Sequence, residues 1–452
     1  MREIAPTTTQ HVDVPDGFDI AGAPTLLDST VMLDRINFCL PTGVTPFNGC
    51  RISNLRQKTP ASCTIAYELI RGKSESASLT HTYVRAFSRG EYDNARRRAL
   101  QSRWVASEES LTVTPLDDVH AILYWFPNDE RLDGLRRIVI PKKLQRIFYD
   151  RLTEYPNSDW RISDRSIRLQ VVRYKPERRA VLRCRFRAQR HDDADRHERF
   201  VYLGLYETER FARLWETTST LTEIARYAHD WTPARTLALD QSDALIIFAE
   251  LDGRPLRDML GVDGWPDALE RTARAVAEMH RADAHMFTET TGIRDQIGQV
   301  RGMLTRVAPE CREIVDSLSS RLMQSDALKP SASLNLVHGD LHHGQLLIGE
   351  GKVGVIDFDR VHGGDALEDV GNFCAQLWLG PRDGRRWEFE PAREQFIDCY
   401  ERARQARIDR ARVSTWMALS LFRSALTPLG RFEASWRQRV RTILAEAQRV
   451  LP

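Results

Sequence analysis

The stretch that decides the fold of this chain runs His338-Gly339-Asp340-Leu341-His342-His343-Gly344-Gln345. A short apolar run, 334–337, precedes it, and a second acidic segment, Asp357-Phe358-Asp359, ends the apolar run 352–356. Short apolar runs bounded by Gly and charged residues are typical of strands. We therefore predict that Asp340 and Asp357 emerge at the same end of one small sheet, with Gln345 in the loop between them.

These residue types suit phosphoryl transfer. The reaction needs a carboxylate that orients the attacking hydroxyl and accepts its proton, and oxygen ligands for a divalent metal on the phosphates. Asp340 offers the carboxylate, and Asp357 with the amide oxygen of Gln345 offers hard ligands of the kind that Mg²⁺ prefers. Gln345 follows Asp340 by five positions, the spacing from acid to amide in the catalytic loop of protein kinases.

Three segments in order resemble the motifs of the aminoglycoside phosphotransferase and choline kinase family of small-molecule kinases. They are 338–345, 355–359, and the segment from Gly364-Asp365 to Glu368-Asp369-Val370-Gly371-Asn372-Phe373. The resemblance implies an α+β, protein-kinase-like, two-lobed fold and an enzyme that uses ATP or GTP with Mg²⁺. It also implies that Asp340 is the catalytic base and that Gln345 and Asp357 are metal ligands.

The same resemblance assigns the nucleotide site. It implies that residues 245–251, with Glu250 and Leu251, form the hinge that binds adenine. The strand that should carry a phosphate-binding Lys has Gly204 instead. The turn Lys175-Pro176-Glu177-Arg178-Arg179 resembles a loop of this family, and we predict that Lys175, Arg178 and Arg179 replace the missing cation; solvated turn residues are the alternative. Gln345 stands where most members of the family have Asn; maltokinase-like members also have Gln there.

The chain also contains an internal similarity. Strand-like, helical and strand-like stretches follow one another in 62–126 and again in 171–249, and Lys58 and Lys175 are 117 residues apart. A fixed offset between equivalent points is how a duplicated unit shows itself; two unrelated hairpins, each followed by a helix, are the alternative. We predict an N-lobe-like cap domain without catalysis (1–152), a kinase-like N-lobe (165–255) and a helical C-lobe (256–452), with Arg85 of the cap at the position of Gly204.

The composition of the chain bears on the kinds of partner that it could bind. Lys and Arg total 65 against 63 Asp and Glu, so net charge gives no argument for nucleic acid or a membrane. No apolar run reaches the ~18 residues that span a bilayer, and residues 1–24 lack the pattern of a signal peptide. Seven scattered cysteines without a C-x-x-C pair indicate reduced thiols. We expect a cytoplasmic protein; its oligomeric state is not determined by the sequence.

The sequence thus favours a kinase that phosphorylates a hydroxyl of a small molecule, with a sugar, amino sugar or aminoglycoside as acceptor. Six acidic residues are candidates for an aminoglycoside pocket or for surface charge: Asp359, Asp365, Glu368, Glu388, Glu390 and Glu394. A pseudokinase that binds nucleotide or a partner is the main alternative, because Gly204 removes the usual Lys. Transfer of a nucleotidyl group on the same fold is a third reading.

Overall fold

The computed structural model describes residues 20–452 except 21, 60–61, 73–77, 156–158, 193–194, 288–291, 330–333, 381–387 and 434. The chain divides into a first β-rich part, a second β-rich part and a mainly helical part. The predicted α+β class and the two-lobed arrangement with an extra N-terminal lobe are confirmed. Within the described ranges, no helix is long and apolar enough to cross a membrane.

The elements run in the following order. The first part contains α1 (Ala23–Leu26), α2 (Ser29–Phe38), β1 (Gly49–Thr59), β2 (Ser62–Arg71), β3 (Ser78–Phe87), α3 (Arg89–Gln101), β4 (Val113–Leu116), β5 (Ala121–Trp125), α4 (Leu135–Ile138) and α5 (Pro141–Arg151). The second contains β6 (Trp160–Ile162), β7 (Arg168–Lys175), β8 (Arg179–Arg190), β9 (Arg196–Tyr206), α6 (Thr208–Ala225), β10 (Trp231–Pro233), β11 (Thr236–Asp240) and β12 (Leu245–Ala249).

The helical part contains β13 (Arg254–Pro255), α7 (Leu256–Met259), α8 (Trp265–Met279), α9 (Ile293–Val307), α10 (Arg312–Gln324), β14 (Asn335–Val337), β15 (Leu346–Ile348), β16 (Val353–Val355), β17 (His362–Gly364), α11 (Ala366–Leu379), α12 (Phe389–Arg404), α13 (Arg410–Ser424), α14 (Thr427–Gly430) and α15 (Trp436–Val450). Helix α8 shows why this part is helical: Leu269, Ala273 and Val276 are buried at helical spacing.

The two β-rich parts share one topology. The first sheet has the strand order β1-β2-β3-β5-β4, and the second has β11-β12-β9-β8, with β7 and β6 both paired to β8. In each, three antiparallel strands lead into a helix and then into a two-stranded hairpin whose second strand pairs with the third strand of the sheet. This match of order and pairing supports the duplication that the sequence suggested.

Strand β8 shows how the second sheet acquires two different faces. Its residues alternate, so that Ala180, Leu182, Cys184, Phe186 and Ala188 are buried. The residues between them, including Arg183, Arg185 and Arg187, lie on the opposite face because successive side chains of a strand point to opposite sides.

The buried face of the second sheet and one face of the first sheet form a single apolar core, which contains Tyr83, Tyr124, Leu203 and Ile247. The other face of the first sheet joins the core of the helical part, and β1 contacts α14. The first sheet is therefore packed between the two lobes.

Helix α5, which the sequence assigned to the end of the first domain, packs against the second sheet. The ring centroids of Phe148 and Phe186 are 4.9 Å apart, and Gln145 Nε2 donates to the Ile162 carbonyl at 2.6 Å. The Arg151 guanidinium pairs with Asp240 at 3.1 Å. A cut in the chain near residue 153 would remove this helix from the sheet that it covers.

Candidate active site

The motif loop 338–345 follows β14, and the hairpin β15–β16 follows the loop, with Leu346 paired to Val355. The prediction that both acidic segments leave one sheet is wrong, because β14 pairs with β17 in a separate two-stranded sheet. Loop contacts bring the segments together instead. His338 Nε2 donates to the Ile356 carbonyl at 3.1 Å, and the His338 ring lies 4.8 Å from the Phe358 ring.

A conformation that requires glycine stabilises the start of the motif loop. Gly339 has φ +75°, and a Cβ there would lie 2.4 Å from the Arg360 carbonyl oxygen. Both the backbone angle and the space therefore exclude a side chain. Asp340 follows directly and is half-buried at the surface of the loop.

Helix α11 holds this loop from behind. The buried Asp369 carboxylate accepts the backbone N–H groups of His338 at 2.6 Å and Gly339 at 3.0 Å. The same carboxylate contacts His280, which also contacts Tyr400, so His280 is a packed core histidine. One turn later, Asn372 donates to the Leu341 carbonyl at 2.8 Å.

The sequence did not identify Asp369 as the anchor of the loop. Carboxylates at the start of a helix are typical of caps or arginine partners, and of Asp365 and Asp369 only Asp365 fits that description. Asp365 caps α11 by accepting the Leu367 N–H, and it pairs with Arg412 at 2.8 Å. The spacing of four between them, one helical turn, was the available signal that Asp369 faces the same side of α11 as its cap.

Asp357 is paired with the turn between β7 and β8. The guanidinium of Arg179, which is itself buried, donates to both carboxylate oxygens of Asp357 at 2.5 and 2.8 Å. It also donates to Asp359 at 2.5 Å, and Arg210 of α6 pairs with Asp359 as well. Burial opposes ionisation of Asp357, but Arg179 outweighs burial and holds the pKa of that carboxyl below its usual range.

The other two predicted cations of this turn lie beside Arg179. In the described part of the chain, no carboxylate lies within ion-pair distance of Lys175 or Arg178. Burial, together with the positive charges of Arg173, Arg179 and Arg178, lowers the pKa of Lys175 to about 7. Burial and repulsion from Arg210 likewise lower the pKa of Arg178 to about 10. The turn thus concentrates positive charge against the acidic segment.

The remaining predicted residues lie on either side of this turn. Glu250 follows β12 and pairs with Arg183 at 2.8 Å, and Leu251 is half-buried next to it. Gln345 is buried; its Oε1 accepts the His342 N–H at 3.3 Å, and its Nε2 has no hydrogen-bond partner. Asp340, Gln345 and Asp357 all belong to the loops around β14–β16.

Position 204 has no room for a lysine in this arrangement. A Cβ on Gly204 would lie 2.8 Å from the Tyr206 hydroxyl and 2.9 Å from its ring. The Tyr206 side chain is buried and occupies the space that a longer residue at 204 would need. The sequence showed that the Lys is absent but not that an aromatic ring replaces it.

The six acidic residues considered for an aminoglycoside pocket are mostly neutralised. Asp365 pairs with Arg412, Glu368 with Arg423, and Glu394 with Arg410. Asp359 and Glu390 also have arginine partners, which leaves Glu388 as the one of the six without an ion pair among the described residues. These contacts favour the interpretation of the six residues as structural and surface charges.

Comparison with known proteins agrees with the motifs. Residues 205–416 match the sequence model of the phosphotransferase enzyme family, APH. The match confirms the predicted resemblance, and this segment is a kinase-type phosphotransferase domain, a class that acts on hydroxyl groups. It begins one residue after Gly204 and so leaves out the turn 175–179. No curated relative matches the chain.

Several solved structures of small-molecule kinases are similar to part of the chain. A choline kinase from Cryptosporidium parvum Iowa II has 15% identity and a TM-score of 0.48, over 68% of this chain and 94% of that one. An ethanolamine kinase from Plasmodium vivax has 12% identity and a TM-score of 0.44, over 71% and 95%. An aminoglycoside phosphotransferase from Streptomyces rimosus has 19% identity and a TM-score of 0.39, over 56% of this chain and 92% of that one. Similarity this low assigns no acceptor.

Proposed function

We propose that this protein transfers the terminal phosphoryl group of ATP, or of GTP, to a hydroxyl of a small molecule of the sugar, amino sugar or aminoglycoside class. The observation that carries the proposal is the contact of the cationic turn 175–179 with Asp357. A nucleotide's phosphates need both cations and a metal-binding carboxylate, and this contact supports a phosphate site between them.

The acidic segment suits a divalent metal that is shared with phosphates. No group of three or more His, Cys, Asp or Glu side chains in the described residues is arranged to hold a metal by itself. Mg²⁺ commonly takes only one or two carboxylates and completes its shell with substrate phosphates and water. Asp357 and the Oε1 atom of Gln345 would hold it, and when bound it would neutralise developing charge on the phosphates.

Asp340 is the group that we assign to the acceptor. It is half-buried on a loop whose backbone is held by Asp369 and Asn372, so its carboxylate is presented from a rigid support. In this role it accepts a hydrogen bond from the acceptor hydroxyl and takes its proton as the new bond forms. Lys175 and Arg178 would bind the phosphates in the place of a lysine at 204.

The first sheet contributes to the nucleotide site by holding the cationic turn. Glu177, at the tip of the turn, is fully buried against the first sheet and pairs with Arg56 at 2.9 Å and Arg85 at 3.5 Å. Its backbone N–H donates to the buried Asp129 at 2.8 Å, and Tyr174 donates to the same carboxylate at 2.8 Å. The turn is therefore anchored at its tip, while Lys175, Arg178 and Arg179 remain on its flanks.

One observation favours the second candidate, a pseudokinase. Arg179 already satisfies both oxygens of Asp357, and Tyr206 fills the space at 204, so the site has the charge balance of a structure that needs no metal. A guanidinium and Mg²⁺ cannot occupy the same carboxylate oxygens together. The kinase reading requires Arg179 to move when nucleotide and metal bind.

Mass spectrometry separates these readings. The full-length protein would be incubated with Mg²⁺, ATP or GTP, and a panel of sugars, amino sugars and aminoglycosides. A gain of one phosphate on an acceptor, absent from an Asp340→Asn control, is the expected result. AMP or GMP attached to the acceptor would identify nucleotidyl transfer. Absence of any product, together with nucleotide binding that does not depend on Mg²⁺, would identify a pseudokinase.

A further inference from the structure

A cavity of about 440 Å³ lies outside the site described above, on the arginine-bearing face of the second sheet. It is at the end of the β8–β9 hairpin that points away from the cationic turn. It is lined by residues of β6, the turn before β7, and strands β7 to β9: Arg161, Ser163, Arg165, Ser166, Arg168, Arg185, Arg187, Ala188, Gln189, Arg196 and Glu198.

The charge of this lining is strongly one-sided. Six arginines face one glutamate, a formal charge of +5, whereas the whole chain has only +2. Glu198 pairs with Arg185 at 3.2 Å. For Arg161, Arg165, Arg187 and Arg196, no carboxylate lies within ion-pair distance among the residues that the structure describes. Like charges repel, so a cavity lined by several arginines is more stable with an anion in it than without one.

We propose that this cavity binds a small molecule that carries two or more phosphate groups. Guanidinium groups match phosphate in a bidentate geometry, and each phosphate carries up to two negative charges, so two or three of them balance the lining. The volume is in the range of small-molecule sites. Ala188 is the single apolar residue of the lining and no aromatic side chain is part of it, which disfavours a nucleic acid whose bases need stacking partners.

The cavity is next to the proposed nucleotide site but separate from it. Arg183 precedes Arg185 on the same face of β8 and is paired with Glu250 of the predicted hinge. Two strand residues span about 7 Å. A ligand in the cavity would therefore lie beside the hinge, where it is able to influence nucleotide binding without competing for the turn 175–179. The proposal does not depend on the reaction that the protein catalyses.

The test is isothermal titration calorimetry of the full-length protein with inorganic tripolyphosphate as the probe. The cavity variant is Arg161→Ala with Arg187→Ala, since both side chains are exposed and neither has an ion pair among the described residues. The matched control is Arg97→Ala with Arg98→Ala on α3, which removes the same charge from an exposed surface elsewhere. We expect binding by the wild type, a loss of affinity of at least tenfold in the cavity variant, and wild-type affinity in the control.

Other results would overturn the proposal. No binding by the wild type would mean that the cavity is not a phosphate site. Equal losses of affinity in the cavity variant and the control would mean that the arginines act only through general charge. A loss in Arg178→Ala but not in the cavity variant would assign the tripolyphosphate to the cationic turn. Binding of a long RNA or of phosphoinositide vesicles without binding of tripolyphosphate would assign the surface to a macromolecule. Circular dichroism of each variant verifies the fold, and Arg161→Gln with Arg187→Gln serves as a second cavity variant.

Discussion

The two sheets of this protein share one strand order, and one matched position, Arg85 in the first and Gly204 in the second, distinguishes their roles. Arg85 on β3 pairs with Thr64 and Ile122, and Gly204 on β9 pairs with Val181 and Ile246, in the same places of the two ladders. An aromatic residue follows two positions later in both. In the first sheet the Arg85 guanidinium lies 4.9 Å from the centroid of the Phe87 ring; in the second, Tyr206 fills the space above Gly204.

This difference shows how a repeated unit was put to two uses. The first sheet keeps a cation at the matched position, but that cation pairs with Glu130 and with Glu177 on the turn of the second sheet. The second sheet lacks the cation and is the one that contacts Asp357 through Arg179. The first sheet therefore contributes a support for the turn rather than a site of its own.

The largest expected effect tests whether chemistry belongs only to the second sheet and its helical lobe. Asp340→Asn should lower kcat by about two orders of magnitude or more, because the general base is lost, while nucleotide affinity is retained. The measurement is steady-state transfer to an acceptor identified by mass spectrometry, with the exposed Asp263→Asn as control. A variant with wild-type kcat would remove Asp340 from the mechanism.

Arg85→Met tests the supporting role of the first sheet. It leaves the buried Glu177 with Arg56 alone, so the free energy of unfolding should fall by about 2 kcal/mol. Because the turn then loses one of its anchoring contacts, the KM for ATP should rise about tenfold, with the KM for the acceptor unchanged. Denaturant titration and initial-rate kinetics measure the two effects.

Arg85→Lys is the matched control for this substitution, since it keeps a cation at the position and should recover most of the ATP affinity. If the stability falls in Arg85→Met while the KM for ATP stays at the wild-type value, the contact with Glu177 holds the two lobes together without positioning the turn.

The pH dependence of nucleotide binding tests whether Lys175 replaces the missing cation of the second sheet. Its pKa is lowered to about 7, first by burial and then by its arginine neighbours, and bound phosphates would raise that pKa. Binding above pH 7 must then take up a proton, so affinity for ATP should fall as the pH rises from 7 to 9, by at most about tenfold per unit. Lys175→Arg should show a weaker dependence, and equal slopes in both proteins would contradict the role of Lys175.

The smallest effect concerns the matched position itself. Gly204→Lys inserts a side chain where Tyr206 lies, and overpacking of this kind costs about 1 to 3 kcal/mol of folding free energy. Gly204→Lys combined with Tyr206→Ala should recover part of that loss, because it reopens the space. Thermal unfolding of the two variants checks this; a Gly204→Lys variant as stable as the wild type would show that the Tyr206 ring moves aside to make room for the lysine.

The residues of the candidate site were readable from the sequence because they are close together in it. The loop 338–345, the hairpin after it and Asp357 lie within twenty residues, and their spacing carries the chemistry. The equivalence of Arg85 with Gly204 was also predictable, because strand pairing preserves order along a repeated unit. Asp369 was missed as an anchor because a carboxylate at the start of a helix is equally suited to capping it.

The sequence alone therefore indicated the kinase-like motifs, the α+β class, the repeated order of strands and the residues of the candidate site, since each depends on local pattern and spacing. Only the tertiary structure decided which charges meet. The contacts of Arg179 with Asp357 and of Glu177 with Arg56 and Arg85 join residues more than ninety positions apart. Such contacts depend on how whole sheets pack against each other, and the pattern of residues along one segment does not contain that information.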